Sequence, residues 1–205
     1  MHLLELPVEM LSTIVDHVRA SESDHIYHDC ATTSYDIVCY HRSLKSLSLV
    51  CSTIQPLAQR AHFLHVAIRP RTRYGHQNPF PCDLFLDLLN RRPLIASYVL
   101  GISLIDTGYT TGGAPPWIPR KASVVASILH RLPHPSTLHI FATRYFLTWS
   151  QIPEKLLTVM YAVVQRPSLT VLRLTGFQDL PVDLLDLCSH LQDLDMYLSR
   201  IKNPD

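Results

Sequence analysis

The sequence has few glycines and no long apolar run. Only six glycines occur among 205 residues, and neither a Gly-x-Ser-x-Gly turn nor a glycine loop followed by Lys-Ser/Thr is present. The first is the nucleophile turn of many hydrolases and the second cradles nucleotide phosphates, so both chemistries are disfavoured. No stretch of about 18 apolar residues exists, so no membrane-spanning helix is expected. The sequence therefore predicts a protein that is neither an enzyme nor membrane-bound.

An excess of one charge sign is also missing. Eighteen Lys and Arg residues face 17 Asp and Glu residues, for a net charge of +1. Nucleic-acid binding requires clustered basic side chains, so nucleic acid is not an expected partner. The five cysteines are odd in number and lack paired spacing, which is typical of reduced thiols. A cytoplasmic or nuclear location is therefore predicted.

Histidine, by contrast, is plentiful, with 12 residues. The candidate zinc ligands form one group in the sequence: His25, His28, Cys30, Cys39 and His41. Imidazole and thiolate suit zinc, but this spacing matches no zinc finger. A surface loop with scattered histidines is the favoured interpretation. No metal, cofactor or catalytic residue is predicted.

The first third of the chain has helical periodicity. Apolar residues recur every three or four positions from Leu6 to Val18, behind a proline suited to the first helical turn. Two further apolar stretches, 44–51 and 54–64, predict a second and a third helix. The polar residues 19–43 are expected to form an insert, and 69–81, with their glycine and prolines, a linker. We therefore predict a three-helix module over residues 1–68.

Beyond the linker the sequence is repetitive. Apolar helical stretches (84–89, 122–132, 154–164 and 182–187) each precede a short extended run (99–104, 136–140, 169–174 and 191–196). The last apolar residues of these runs, Leu104, Ile140, Leu174 and Met196, are spaced by 36, 34 and 22 residues. Three of the four runs follow the apolar-x-x-apolar-x-apolar pattern of leucine-rich repeats. An α/β fold is predicted, with a small, irregular leucine-rich-repeat-like array over 82–205 and a doubly wound sheet as the alternative.

The N-terminal motifs resemble a known family. Leu-Pro-Val-Glu-Met-Leu stands at residues 6–11, and a leucine-rich stretch with Val-Cys and then Leu-Ala stands at residues 44–58. In order and internal spacing these pieces resemble the F-box. The whole chain is similar to the F-box-like proteins of mushroom-forming fungi, in which leucine-rich-repeat-like segments follow the F-box.

The resemblance implies a tethering function without chemistry. It implies that the helical module binds a Skp1-type adaptor of a cullin–RING (SCF) ubiquitin ligase, while the repeats hold an unknown protein substrate nearby. Such tethering raises the effective concentration of the substrate. The docking residues that it implies are Leu6, Pro7, Met10, Leu11, Ile14, Leu44, Leu47, Val50 and Ile54.

Strand alternation predicts a second surface. Residues between the apolar positions of each extended run should face away from the core. On this basis the predicted substrate contacts are Ser103, His139, Arg173, Asp193 and Asp195; an ordinary solvated face is the alternative. Two other functions stay open, namely a repeat module without a ligase role and a truncated, non-functional product. The second arises because no capping repeat follows the last run.

Overall fold

The computed structural model describes residues 6–23, 42–69, 80–106, 116–142, 146–197 and 199–201 of a mixed α/β protein. The chain forms two compact units, a helical unit (residues 1–64) and a sheet unit (residues 65–205). The boundary lies before the predicted one at residue 68. Residues His65–Ile68 form a strand that pairs in parallel with Gly101–Leu104, so they belong to the sheet unit.

The helical unit consists of α1 (Val8–Ser23), α2 (Arg42–Leu47) and α3 (Ile54–Phe63). The carbonyl of Pro7 accepts hydrogen bonds from the N–H groups of Met10 and Leu11 at 3.0 and 3.1 Å and so starts α1. Side chains from all three helices form one core: Leu11, Val15, Leu44, Ile54, Ala58 and Ala61. α1 continues to Ser23, so the predicted insert begins as helix; residues 19–23 contain no glycine or proline to end it.

The sheet unit alternates helices and strands. In chain order it contains β1 (His65–Ile68), α4 (Pro81–Arg91), α5 (Leu94–Tyr98), β2 (Gly101–Asp106), α6 (Trp117–Arg120), α7 (Ala122–Arg131), β3 (Thr137–Ala142), β4 (Leu147–Thr148), a 3-10 turn (Trp149–Gln151), α8 (Glu154–Val164), β5 (Val171–Thr175), β6 (Phe177–Gln178), α9 (Asp183–Leu187) and β7 (Asp193–Asp195). The four predicted helix–strand pairs are all present. The short elements α5, α6, β4 and β6 were not predicted.

The main sheet has the strand order β1-β2-β3-β5-β7, and all its pairings are parallel. α7 packs against both α4 and α8, so these helices form a row. Within the described sheet the order never reverses, whereas a doubly wound sheet has a reversal point. Each strand–helix unit therefore stacks on the one before it along the chain.

The register confirms the predicted alignment of the extended runs. Leu104 pairs with Ile140, which in turn pairs with Leu174. The strands nevertheless begin one or two residues later than predicted. The carbonyl of Leu100, for example, accepts from the N–H groups of both Ser136 and Thr137 at 2.7 and 3.0 Å. The residue before each of β3, β5 and β7 is thus hydrogen-bonded to the preceding layer without being part of the regular strand.

Two helices begin at residues that were not predicted to be helical. α4 begins at Pro81, so the predicted linker is one residue shorter; a proline at the first helical position loses no needed donor. Between β2 and α7, α6 begins at Trp117, because the Oδ2 of buried Asp106 accepts hydrogen bonds from the N–H groups of Trp117 and Ile118 at 2.7 and 3.4 Å. Residues 24–41, which include all five candidate zinc ligands, lie outside the described residues.

Candidate functional site

α1 carries two apolar stripes. Leu11 and Val15 lie in the core of the helical unit and are 2% and 3% exposed. Met10 and Ile14 are 51% and 38% exposed, and Val8 is exposed near them in sequence. Residues four apart share a helix face, so each pair forms its own stripe. We call Met10 and Ile14 the outer stripe of α1; Val8, three positions before Leu11, lies on the side of the core pair instead.

The structure separates the nine predicted docking residues into three groups. Leu11, Leu44 and Ile54 are buried in the core of the helical unit, so they are unavailable to a partner and are corrected here from contact residues to core residues. Leu6 and Leu47 are half-buried against the same core. The exposed group comprises Pro7, Met10, Ile14 and Val50. A partner surface on this unit is therefore confined to the exposed group and the edges of the half-buried residues.

The predicted substrate contacts lie on one face of the sheet. On the opposite face, the apolar residues of β2, β3 and β5 are almost completely buried, which places the helices there. The other face, which we call the open face, is crossed by two register rows. They consist of His65, Gly101, Thr137, Val171 and Asp193, and of Ala67, Ser103, His139, Arg173 and Asp195. Four of the five predicted residues thus share one row, and Asp193 lies in the adjacent row.

Ser103 is the least accessible of the predicted contacts on the open face. A hydrogen bond of 2.9 Å joins its Oγ to the Nε2 of His65 on the neighbouring strand. The His65 ring also occupies the space above Gly101, where a Cβ would lie only 2.1 Å from Nδ1. Glycine at position 101 therefore leaves room for the His65 ring beside β2. Ser103 is 6% exposed as a result, so it can support a ligand surface but contributes little contact area.

The β7 end of the open face is acidic. A guanidinium nitrogen of Arg173 lies 2.8 Å from Asp193 Oδ2, with both side chains partly exposed. Such an exposed pair contributes only about 0–1 kcal/mol to stability. Asp195, which pairs with Arg173 in the strand register, is exposed. The open face therefore has histidine and arginine at its centre and carboxylates at one edge.

His139 lies at the centre of the open face. Burial lowers its pKa below the ordinary value of 6.5, and the nearby Arg173 and His65 lower it further, whereas Asp195 opposes the shift. A charged imidazole is disfavoured because the ring is poorly hydrated and has cationic neighbours. At neutral pH the centre of the open face therefore carries a neutral imidazole. Its ring also contacts Phe141 edge to face, with centroids 5.6 Å apart.

We predict that the sheet unit loses stability when His139 is protonated. The unfolded chain has the higher pKa, so it binds the proton more readily than the folded chain. The stabilising contribution is present above pH 6.5 and is lost as the pH falls through the folded-state pKa. Both tryptophans, Trp117 and Trp149, lie in this unit, so urea titrations followed by tryptophan fluorescence report its stability. His139→Gln should make the pH dependence shallower; an unchanged slope would contradict the assignment.

The sequence pattern did not place His65, Ala67 and Phe141 on the open face. His65 was assigned to the helical module, although Ile68 precedes Leu104 by the same 36 residues that separate Leu104 from Ile140. That repeated spacing was the available signal, and the structure pairs Ile68 with Leu104. Phe141 lies beyond the predicted end of its extended run, and β3 in fact continues to Ala142. No local pattern marks that extension.

Among the described residues, neither the outer stripe of α1 nor the open face carries a cluster of nucleophilic or metal-binding side chains. Burial, assisted by the Asp83 carboxylate, raises the pKa of the Cys82 thiol to about 11, so it is protonated at neutral pH and not a nucleophilic thiolate. Within the described ranges, no three His, Cys, Asp or Glu side chains are grouped to hold a metal ion. In the same part of the chain, every helix is too short or too polar to cross a bilayer.

Comparison with known proteins adds no further assignment. The chain matches no protein-family model, no curated protein and no solved structure.

Proposed function

We propose that this chain is a substrate-recruiting adaptor of an SCF-type ubiquitin ligase. In this proposal the helical unit is an F-box-like module that docks a Skp1-type adaptor through the outer stripe of α1. The leucine-rich-repeat-like sheet unit holds a protein substrate on its open face. The observation that carries the proposal is an exposed apolar stripe on a helical unit whose own core is already complete.

The completeness of that core makes the outer stripe informative. All three helices contribute to a shared core, so Met10 and Ile14 are not needed to hold the unit together. Complete burial of such a side chain contributes about 1.5–3 kcal/mol, and these two are already half-covered, so a partner would gain roughly half of that from each. Two exposed apolar side chains on one helix face are what a helix-binding partner requires.

The two units suit the two tasks of an adaptor. The outer stripe belongs to residues 1–64 and the open face to residues 65–205, which form separate compact units. The strand order, which follows the chain order throughout the described sheet, supports a repeat-like array. A substrate bound on one unit would be tethered through this chain to a ligase docked on the other. Its effective concentration at the ligase then rises without chemistry by this chain.

A repeat module without a ligase role is the second candidate. The row of side chains across the open face supports it as well, because that row lies entirely within the sheet unit. The two candidates share the open face and differ only in whether the helical unit docks a Skp1-type protein.

Direct binding distinguishes these candidates. Purified full-length chain, immobilised by a C-terminal tag, should retain a recombinant Skp1-type protein at micromolar concentrations. Retention supports the adaptor function. If the Skp1-type protein passes through while circular dichroism shows the chain to be folded, the ligase assignment is wrong and the repeat module without a ligase role is favoured.

A further inference from the structure

The β7 layer of the described sheet leaves apolar surface uncovered. Ile102, Leu138, Leu172 and Leu194 form one register row across β2, β3, β5 and β7. Their exposed fractions are 0%, 0%, 1% and 40%, in that order. The first three are covered because each has a neighbouring layer on both sides. Tyr197 and Ile201, which follow β7 in the chain, are also more than 40% exposed.

β7 has one edge without a strand partner among the residues described. It is the terminal strand of the described main sheet and pairs there only with β5. The N–H of Asp193 donates to the carbonyl of Thr170 at 3.1 Å, in the direction of β5. Successive amides of a strand point to opposite edges, so the N–H of Leu194 points to the free edge. The edge thus presents a hydrogen-bond donor beside an exposed leucine.

The charge around this edge selects its occupant. The charged side chains of β7 itself are Asp193 and Asp195, and the Arg173 guanidinium of β5 is ion-paired to Asp193. A second copy placed edge to edge would bring the Asp193 and Asp195 side chains of both copies together, and facing like charges destabilise a sheet. A strand with basic side chains would instead face opposite charges. The acidic edge therefore disfavours self-pairing and favours a basic segment.

The opposite edge of β7 shows what such a pairing looks like. There β5 places Val171, Leu172 and Arg173 beside Asp193, Leu194 and Asp195. Leu172 lies beside Leu194 in the apolar register row, while the Arg173 guanidinium forms the 2.8 Å ion pair with Asp193. An added strand on the free edge can repeat this arrangement: an apolar residue beside Leu194 and a Lys or Arg beside each aspartate.

We propose that the free edge of β7 binds an extended segment of a partner protein in which basic and apolar residues alternate. The segment adds a strand to the sheet, extends the row that ends at Leu194 and pairs its basic side chains with Asp193 and Asp195. This site is distinct from the outer stripe of α1, so it stands whether or not the helical unit docks a Skp1-type protein.

Fluorescence anisotropy with labelled peptides tests the proposal on the full chain. The test peptide Thr-Lys-Val-Arg-Val-Lys-Thr should bind in the micromolar range, and its affinity should fall as salt rises, because exposed charge pairs are screened. The scrambled peptide Thr-Val-Lys-Lys-Arg-Val-Thr has the same charge without alternation and should bind at least about fivefold more weakly, since it cannot place valine and basic side chains on opposite faces. Equal binding of both peptides, or no binding of the test peptide at millimolar concentration, would overturn strand addition.

Matched variants of the chain test whether the peptide binds at β7. Asp193→Asn with Asp195→Asn should weaken binding about fivefold or more, in line with the loss of two exposed charge pairs. Asp183→Asn with Asp186→Asn removes the same charge from exposed positions on α9 and should leave the affinity within about twofold. Equal weakening by both double variants would overturn the assignment to β7. Sedimentation equilibrium gives a second test. A mass that doubles as concentration rises, and that the Asp193 and Asp195 variants return to the monomer value, would also overturn the proposal, because the edge would then bind a second copy.

Discussion

Met10→Asp combined with Ile14→Asp should abolish retention of a Skp1-type protein, weakening binding about 100-fold or more. Both side chains are on the outer stripe of α1, so a docked partner would bury the new carboxylates in apolar surroundings. A buried and unpaired charge costs several kcal/mol, which exceeds the loss of apolar contact alone. The same titration of immobilised full-length chain measures the change. The variant should stay folded, because substitutions at exposed sites away from special features usually change stability by less than about 0.5 kcal/mol.

Two further variants make that experiment interpretable. Leu84→Asp with Leu94→Asp places the same charges on exposed apolar positions of the sheet unit and should leave binding unchanged. Leu11→Asp, one residue from Met10 but 2% exposed, should instead unfold the helical unit and reduce its circular dichroism signal. If the outer-stripe variant binds as well as the unmodified chain, the outer stripe is not the docking surface.

Gly176→Ala should destabilise the sheet unit by about 2–5 kcal/mol. Gly176 has φ +75°, a conformation that costs a residue with a Cβ roughly 1–2 kcal/mol. An added Cβ would also lie 1.8 Å from the carbonyl oxygen of Ala142, a backbone atom at the end of β3 that has little freedom to move. Overpacking of this kind adds about 1–3 kcal/mol. The midpoint of urea unfolding, followed by tryptophan fluorescence, measures the loss.

Gly101→Ala is the matched control for this prediction. Its Cβ would meet the His65 side chain, which lies on the exposed edge strand and can rotate away. The cost is then mainly the hydrogen bond to Ser103, about 0.5–1.5 kcal/mol, partly offset because alanine is favoured over glycine in a strand. If Gly176→Ala proves as mild as Gly101→Ala, the close approach of the β3 backbone to residue 176 is incorrect.

The strand array was predictable because its signal is long-range and periodic. Aligning Leu104, Ile140 and Leu174 by sequence pattern alone places their strands in the register that the sheet has, since each layer repeats the same burial pattern. The same alignment places His139 and Arg173 side by side on one face. The short helices α5 and α6 have no comparable periodic signal in the sequence. α5 and α6 have five and four residues, and α6 depends on a capping contact from Asp106, which lies 11 residues earlier than Trp117.

The candidate docking surface was predicted less well. Leu11 and Met10 are adjacent in sequence, and both fit an apolar helical pattern. The spacing of apolar residues along one helix cannot decide which of two neighbouring apolar stripes faces the core, because that depends on where the other helices pack. The three-helix core selected Leu11, Leu44 and Ile54 and left Met10 and Ile14 outside.

By itself, the amino-acid sequence determined the alternation of helices and strands, the register of the central strands and the balance of charge. These properties follow from periodicity and composition, which are local or additive along the chain. Only the tertiary structure decided which apolar residues are covered, that His65 belongs to the sheet unit, and that Leu194, at the end of its row, stays partly exposed. Burial depends on which distant segments meet in space, so no single stretch of sequence specifies it.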